Sequence, residues 1–304
     1  MIAAFRKAFL VLFALCFVVF VAGRDAAAQS KRVYISVDME GISGVVGDDQ
    51  TSAGQPEYSR SRKLMAEDAN AAIRGAFEGG ATQVVVNDSH GSQRNLLPED
   101  LDPRARLISH SFKRHGMVEG LDESFDAVIF IGYHAKADSP RGLFAHTGSG
   151  VVKDVQVNGR SAGEGGLNTL MAHWYGVPVV MITGDDVAVE QQKEWTPTVR
   201  GVVVKRAINM RAVEGMSPVE ARREIQAAAK ESVAAAKKPA RPSEAERGQG
   251  YKVRMQLRNF TIPEVATAFS EIKLVAPDTV EFTRATMPEA YRIIRVLYRY
   301  INPD

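Results

Sequence analysis

Cysteine is almost absent from this chain of 304 residues: the only one is Cys16. That excludes a disulfide framework, a thiolate zinc knuckle and, once the first residues are removed, a thiol nucleophile. Charge excess is also lacking. Lys and Arg number 38 against 36 Asp and Glu, a formal net charge of +2, so nothing argues for a nucleic-acid partner. There is no G-x-x-x-x-G-K-[ST] phosphate loop and no H-E-x-x-H helix, and Gly41-Ile42-Ser43-Gly44 lacks dinucleotide-fingerprint spacing. Long apolar runs are missing except at the start. The remaining composition, 45% hydrophobic and 24% charged, is that of a globular chain.

The first residues form a separate object. Arg6 and Lys7 precede an uncharged run from Ala8 to Ala22, and Ala26-Ala27-Ala28 follows. This is the tripartite pattern of a secretory signal peptide, with cleavage expected after Ala28. The run falls short of the roughly 20 residues that span a bilayer, so no stable membrane span is expected once the leader is gone. Removal takes Arg6, Lys7, Arg24 and Asp25, which balances the charge of the mature chain, and it takes the cysteine. Export to an oxidising compartment, a bacterial periplasm, is the expected localisation.

In the mature chain, apolar strands alternate with helical periods. Strands are expected at 33–37, 83–86, 105–108, 125–131, 155–157 and 177–182, with helices at 59–77 and 164–175. This pattern predicts an α/β fold: a mostly parallel sheet with helices on both faces. Beyond residue 190 a strand at 202–204 leads to Ser217-Pro218-Val219-Glu220, which caps an Ala-rich helix reaching about residue 236. Residues 237–250 read as a polar loop. Strands at 253–260 and 272–282, a short helix at 263–269 and an amphipathic helix at 289–301 complete a smaller C-terminal α+β domain. The expected division is therefore a leader at 1–28, a metal-binding α/β catalytic domain at 29–190 and the α+β domain at 191–304.

Polar groups collect at strand ends. The first strand runs into Asp38 and Glu40, the second into Asp88 and His90, and the fourth into His134. In an open parallel sheet, ligands bind beyond the carboxyl ends of the strands, so these groups should converge. On an extended segment Asp38 and Glu40 face the same way. Two neighbouring carboxylates repel unless a cation sits between them. Carboxylates with imidazoles and no thiolate suit zinc or manganese, and the imidazoles favour zinc. His146 and Glu164 are further candidates downstream. Together they exceed what one tetrahedral zinc needs, which points to two metals about 3.5–4 Å apart. Each residue also has a plainer role open to it. A strand-end Asp can cap a helix, and Glu164 can favour a helix dipole. His110, His115 and His173 read as structural or exposed.

One rival motif is present. Gly159-Arg160-Ser161-Ala162-Gly163 fits the G-x-S-x-G nucleophile elbow. The acid and histidine that should follow it are Glu164 and His173, and Glu164 is too close along the chain to come from another strand end.

At these residues the chain resembles the DppA-type D-aminopeptidases, a family of zinc metallopeptidases. Ser36-Val37-Asp38-Met39-Glu40-Gly41 looks like the family's S-x-D-x-E-G signature. Val86-Asn87-Asp88-Ser89-His90, Met117-Val118-Glu119-Gly120-Leu121, Gly132-Tyr133-His134-Ala135 and Gly163-Glu164 also match, in order. The resemblance implies a two-zinc aminopeptidase that removes N-terminal D-residues from short peptides such as D-Ala-D-Ala. It implies Asp38, Glu40, His90, His134 and Glu164 as zinc ligands, with Asp38 bridging, and His146 as the catalytic histidine. It also implies a ring-shaped homo-oligomer, a decamer. With a leader present, the expected substrates become periplasmic peptides, such as peptidoglycan fragments. Two readings from other classes compete: a metal-free periplasmic peptide-binding protein, and a two-metal hydrolase of another amide or ester.

Overall fold

A computed structural model describes residues 30–239, 242–243 and 248–301. The expected leader, residues 1–28, lies outside them. Among the described residues no helix is long and apolar enough to cross a membrane. The described residues from Lys31 onward form one compact unit.

A seven-stranded sheet carries the site. Its strands are β1 (Arg32–Val37), β2 (Gln83–Asp88), β3 (Ala105–Ile108), β4 (Ala127–Tyr133), β7 (Val179–Asp185), β8 (Arg200–Asn209) and β9 (Ala212–Gly215), in the order β3-β2-β1-β4-β7-β8-β9. All pair in parallel except β9, which closes one edge as an antiparallel partner of β8. The central strands are apolar throughout because both faces are covered. One face, with Val33, Ile35 and Ile129, packs under α1 (Tyr58–Glu78) and α4 (Pro218–Ala235). The other face, with Tyr34, Val128 and Phe130, packs under α2 (Glu164–Trp174), α3 (Asp186–Trp195) and a second sheet.

That second sheet is antiparallel. It contains β5 (Val152–Val157), β6 (Arg160–Ser161), β10 (Tyr251–Leu257), β11 (Lys273–Ala276) and β12 (Thr279–Arg284), in the order β11-β12-β10-β5-β6. The short α5 (Thr261–Ala266) and the terminal α6 (Met287–Arg299) flank it. A cut at residue 190 therefore runs through the seven-stranded sheet, between β7 and β8. The second sheet in turn takes β5 and β6 from before that cut. The span 272–282, expected as one strand, is a hairpin: Pro277 and Asp278 turn the chain between β11 and β12. Neither α3 nor β9 was expected from the sequence.

The strand order reverses between β1 and β4. From β1 the chain steps outward to β2 and β3, then returns to β4 and builds the other way. That reversal opens a crevice beyond the carboxyl ends of β1 and β4, the usual ligand position in such sheets.

Candidate metal centre

Asp38 follows the last residue of β1, His134 the last residue of β4, and His90 lies two residues beyond β2. Glu40 sits in the turn after β1, not on the strand. Glycine makes that turn feasible. A side chain on Gly41 would run into the Tyr133 carbonyl, and Gly132 holds φ of 72°, where a side chain would run into the Asp38 carbonyl. The Gly41 N–H donates to the Gly132 carbonyl at 2.7 Å, which locks the β1 and β4 ends together.

Lys205, on β8, clamps the same turn from below. Its buried ammonium donates to the carbonyls of Glu40 at 2.7 Å, Ile42 at 2.9 Å and Val45 at 2.5 Å. Burial pulls this lysine down to about 7. Nothing in the sequence marked it, because its role depends on β8 lying beneath a turn 165 residues away. Lys205→Met should lower the free energy of unfolding by about 3 kcal/mol, since it strands buried carbonyls. A urea titration showing an unchanged midpoint would mean that the turn holds itself.

The side chains expected at the site meet. His90 Nδ1 lies 2.9 Å from Glu40 Oε2 and 3.3 Å from Asp38 Oδ1. His134 Nε2 lies 3.1 Å from Glu164 Oε2 and 3.5 Å from Asp38 Oδ2. Glu164, the first residue of α2, has its other oxygen 2.6 Å from the Gly148 N–H and 3.6 Å from His146 Nε2. The His146 ring stacks on His134 with centroids 4.0 Å apart.

Backbone carbonyls orient the rings. His90 Nε2 faces the Thr51 carbonyl at 2.7 Å, and His134 Nδ1 faces the Ala135 carbonyl at 2.9 Å. A carbonyl only accepts, so each of these nitrogens carries a proton and the opposite nitrogen is aimed at the carboxylates. This is how metal-ligating histidines are held.

The electrostatics describe a site short of positive charge. Burial pushes the Asp38 carboxyl well above its ordinary range, and Glu40 adds to the shift. Burial acts the same way on Glu40 and Glu164, but it is outweighed by His90 for Glu40 and by His134 for Glu164. Glu40 ends well below its ordinary value and Glu164 at about 2. Burial also opposes the charged forms of His90 and His134. Glu40 overcomes it for His90 and Glu164 for His134, raising His90 well above 6.5 and His134 to about 10. Burial, then the charge on His134, lowers His146. Among the described residues no lysine or arginine pairs with Asp38, Glu40 or Glu164, so imidazolium is their only counter-charge.

Three groups of donor atoms fall within 4.8 Å of one another: Asp38, Glu40 and His90; Asp38, His134 and Glu164; and Glu40, His134 and His146. The first two share Asp38. A shared, buried, charge-deficient set of oxygen and imidazole donors suits divalent zinc.

Other candidates fall outside the cluster. Asp88 accepts from the backbone N–H groups of Asn95 at 2.5 Å and Leu96 at 2.7 Å, so it orders the loop after His90. His110, His115 and His173 take no part in the three groups. Ser161 lies against Lys136 Nζ and Asp154 Oδ1, both at 2.6 Å, and no described histidine bonds to it, so the nucleophile elbow lacks its histidine.

Comparison with known proteins now bears on this site. A family described as D-aminopeptidase matches residues 31–296. The chain belongs to the D-aminopeptidase family. It is 45% identical to a D-aminopeptidase of Bacillus subtilis (strain 168) over 192 residues, which is 63% of this chain and 70% of that one. Among solved structures it resembles the Zn-dependent D-aminopeptidase DppA from Bacillus subtilis, described as a self-compartmentalizing protease. The TM-score is 0.81 and the identity 37%, over 88% of this chain and 96% of the other. Membership in this D-aminopeptidase family makes the protein a peptidase, and the mixed α/β architecture is that of DppA.

Proposed function

We propose that this peptidase is a two-zinc aminopeptidase that removes N-terminal D-residues from short peptides of the D-Ala-D-Ala kind. The observation that carries the reading is Asp38 standing in two donor groups at once. Asp38, Glu40 and His90 would hold one zinc, Asp38, His134 and Glu164 the other, with Asp38 bridging; manganese is the weaker fit. Zinc, when bound, supplies a water acidified towards a pKa of about 7 and a Lewis acid for the peptide carbonyl. His146 does the protein's share of proton transfer. Its Nδ1 faces the Phe144 carbonyl at 2.7 Å, which fixes that proton and leaves Nε2 free to carry one to the leaving amine.

The self-compartmentalizing habit of DppA supports a homo-oligomer here, for which a ring-shaped decamer is the proposed form. The exposed apolar side chains Phe260, Val265, Phe269, Leu274 and Val275 are suited to burial between copies. The apolar run 8–22 and Ala26-Ala27-Ala28 support export and cleavage near Ala28. A periplasmic enzyme would meet D-residues in peptidoglycan fragments.

The deciding experiment uses residues 29–304 after dialysis against loose metal. Zinc per chain is measured beside D-alanine release from D-Ala-D-Ala and from its L-isomer. Near two zinc with D-selective turnover is expected. Two zinc without turnover on either isomer would keep the site and discard the substrate; no zinc would overturn the site itself.

Loading should also move protons. Their carboxylate neighbours raise His90 and His134 above the ordinary imidazole value, to about 10 for His134, which favours the protonated forms in the metal-free protein. Ligation needs them neutral. Zinc addition at pH 7 should therefore release protons, measurable with an indicator dye, and zinc affinity should rise with pH. No proton release would remove these imidazoles from the ligand set.

A further inference from the structure

The crevice beside the cluster has a second wall of opposite charge. A cavity of about 80 Å³ is lined by Asp38, Glu40 and Glu164 and also by Arg295, Tyr298 and Arg299 of α6. Arg295 is only 4% exposed. It donates from Nη1 to the Lys113 carbonyl, and among the described residues it forms no ion pair with any carboxylate. Arg299 donates to the Gly91 carbonyl at 2.9 Å and likewise has no acidic partner there.

Buried guanidinium without a counter-anion is costly, and such groups are almost always paired. The fold nonetheless makes room for this one. A side chain on Gly116 would lie 2.5 Å from Arg295 Nε, so the glycine leaves the space that the guanidinium fills. The helix is also fixed in register. Tyr291 donates to Asn168 Oδ1 at 2.6 Å, and Asn168 donates to the Tyr133 hydroxyl at 2.8 Å, next to His134. Tyr298 packs on Gly148, whose N–H holds Glu164. Arginine wall and acidic wall are thus parts of one rigid arrangement, and the Arg295 guanidinium meets the Lys113 carbonyl and the Tyr298 side chain, neither of them an anion at neutral pH.

We propose that Arg295, with Arg299 beside it, binds the terminal carboxylate of a short peptide whose amino end lies at the acidic cluster. A cavity acidic on one side and cationic on the other selects a zwitterion with its charges at opposite ends. Arg295 is then a specificity-determining residue that restricts the enzyme to dipeptide-sized substrates with a free carboxylate. The peptide in this inference rests on the reading given under Proposed function; the anion site rests on Arg295 alone.

The test compares D-Ala-D-Ala with its C-terminal amide on the zinc-loaded protein. Wild type should favour the free acid by about 10- to 100-fold in kcat/KM, mostly through KM, the range expected for a charge-assisted hydrogen-bonded pair. Arg295→Met should abolish the preference while retaining zinc, and Arg295→Lys should restore part of it. Equal turnover of acid and amide by wild type overturns the proposal while leaving the peptidase reading intact, and that arm needs no variant to fold. Titration of both compounds into the zinc-free protein reads the preference without catalysis. Acid-selective binding with no turnover after zinc loading would keep the carboxylate site and defeat the D-peptidase reading; equal binding in the titration overturns the carboxylate site.

Discussion

Asp38→Asn is expected to leave the protein folded, strip it of both metals and lower kcat/KM by at least about 10³-fold. The size follows from the several kcal/mol that a metal contributes to transition-state charge stabilisation. Asn keeps the shape and the acceptor that receives the Met39 N–H at 2.9 Å. It loses the one charge that belongs to both donor groups. The metal-free variant should be no less stable than the metal-free wild type, because Asp38 and Glu40 repel each other in the burial they share. Glu40→Gln and Glu164→Gln each touch one of the two Asp38 groups, so each should lower zinc towards one per chain. Metal analysis and a melting curve on the three variants check the set. Two zinc retained in Asp38→Asn would end the bridging assignment.

His146→Ala gives the second large effect, of a different kind. kcat should fall by about 10²–10⁴-fold while zinc stays bound, the range for a lost general acid or base. Two features separate His146 from the ligands. It is the more open of the two stacked rings, with 27% of its side chain exposed against 2% for His134. Its nearest carboxylate oxygen is 3.6 Å away, whereas His90 and His134 have theirs at 2.9 and 3.1 Å. His146 does share a donor group with Glu40 and His134, so the opposite result is well defined. Loss of zinc in His146→Ala would make it a ligand and leave the proton without a carrier.

The site was legible in the sequence to the extent that it is local. Asp38, Glu40, His90 and His134 sit at or just past strand ends, and strand ends in a parallel sheet are readable from apolar runs. Glu164 was legible as the start of a helix. Only the distances, and the sharing of Asp38, needed the fold. What could not be read depends on packing between distant segments. Lys205 looks like any strand lysine until β8 is placed under the turn at 40–45. Arg295 looks like a polar position on an amphipathic helix until α6 is docked against α2, β10 and β12. The hairpin at Pro277 and Asp278 was missed for another reason: the apolar run continues through it, and the turn residues were outweighed. Asp88 was left out of the ligand set, and the structure gives it another task. By spacing it pairs with His90 as Asp38 pairs with Glu40, yet its Oδ2 accepts from two backbone N–H groups of the following loop and its Oδ1 from the Asn95 side-chain amide.

The pairing of β5 with β10 has a consequence for how the enzyme comes into being. Asn158 and Lys252, joined across that pair, are 94 residues apart, and α6 follows later still. During synthesis the donor residues from Asp38 to Glu164 emerge first, while the cavity wall that carries Arg295 is among the last segments to be made. Ligands therefore exist before a closed pocket does, and contacts of such long sequence separation form slowly. A nascent chain thus carries its candidate metal ligands for a long stretch of synthesis before the helix that completes the cavity is made.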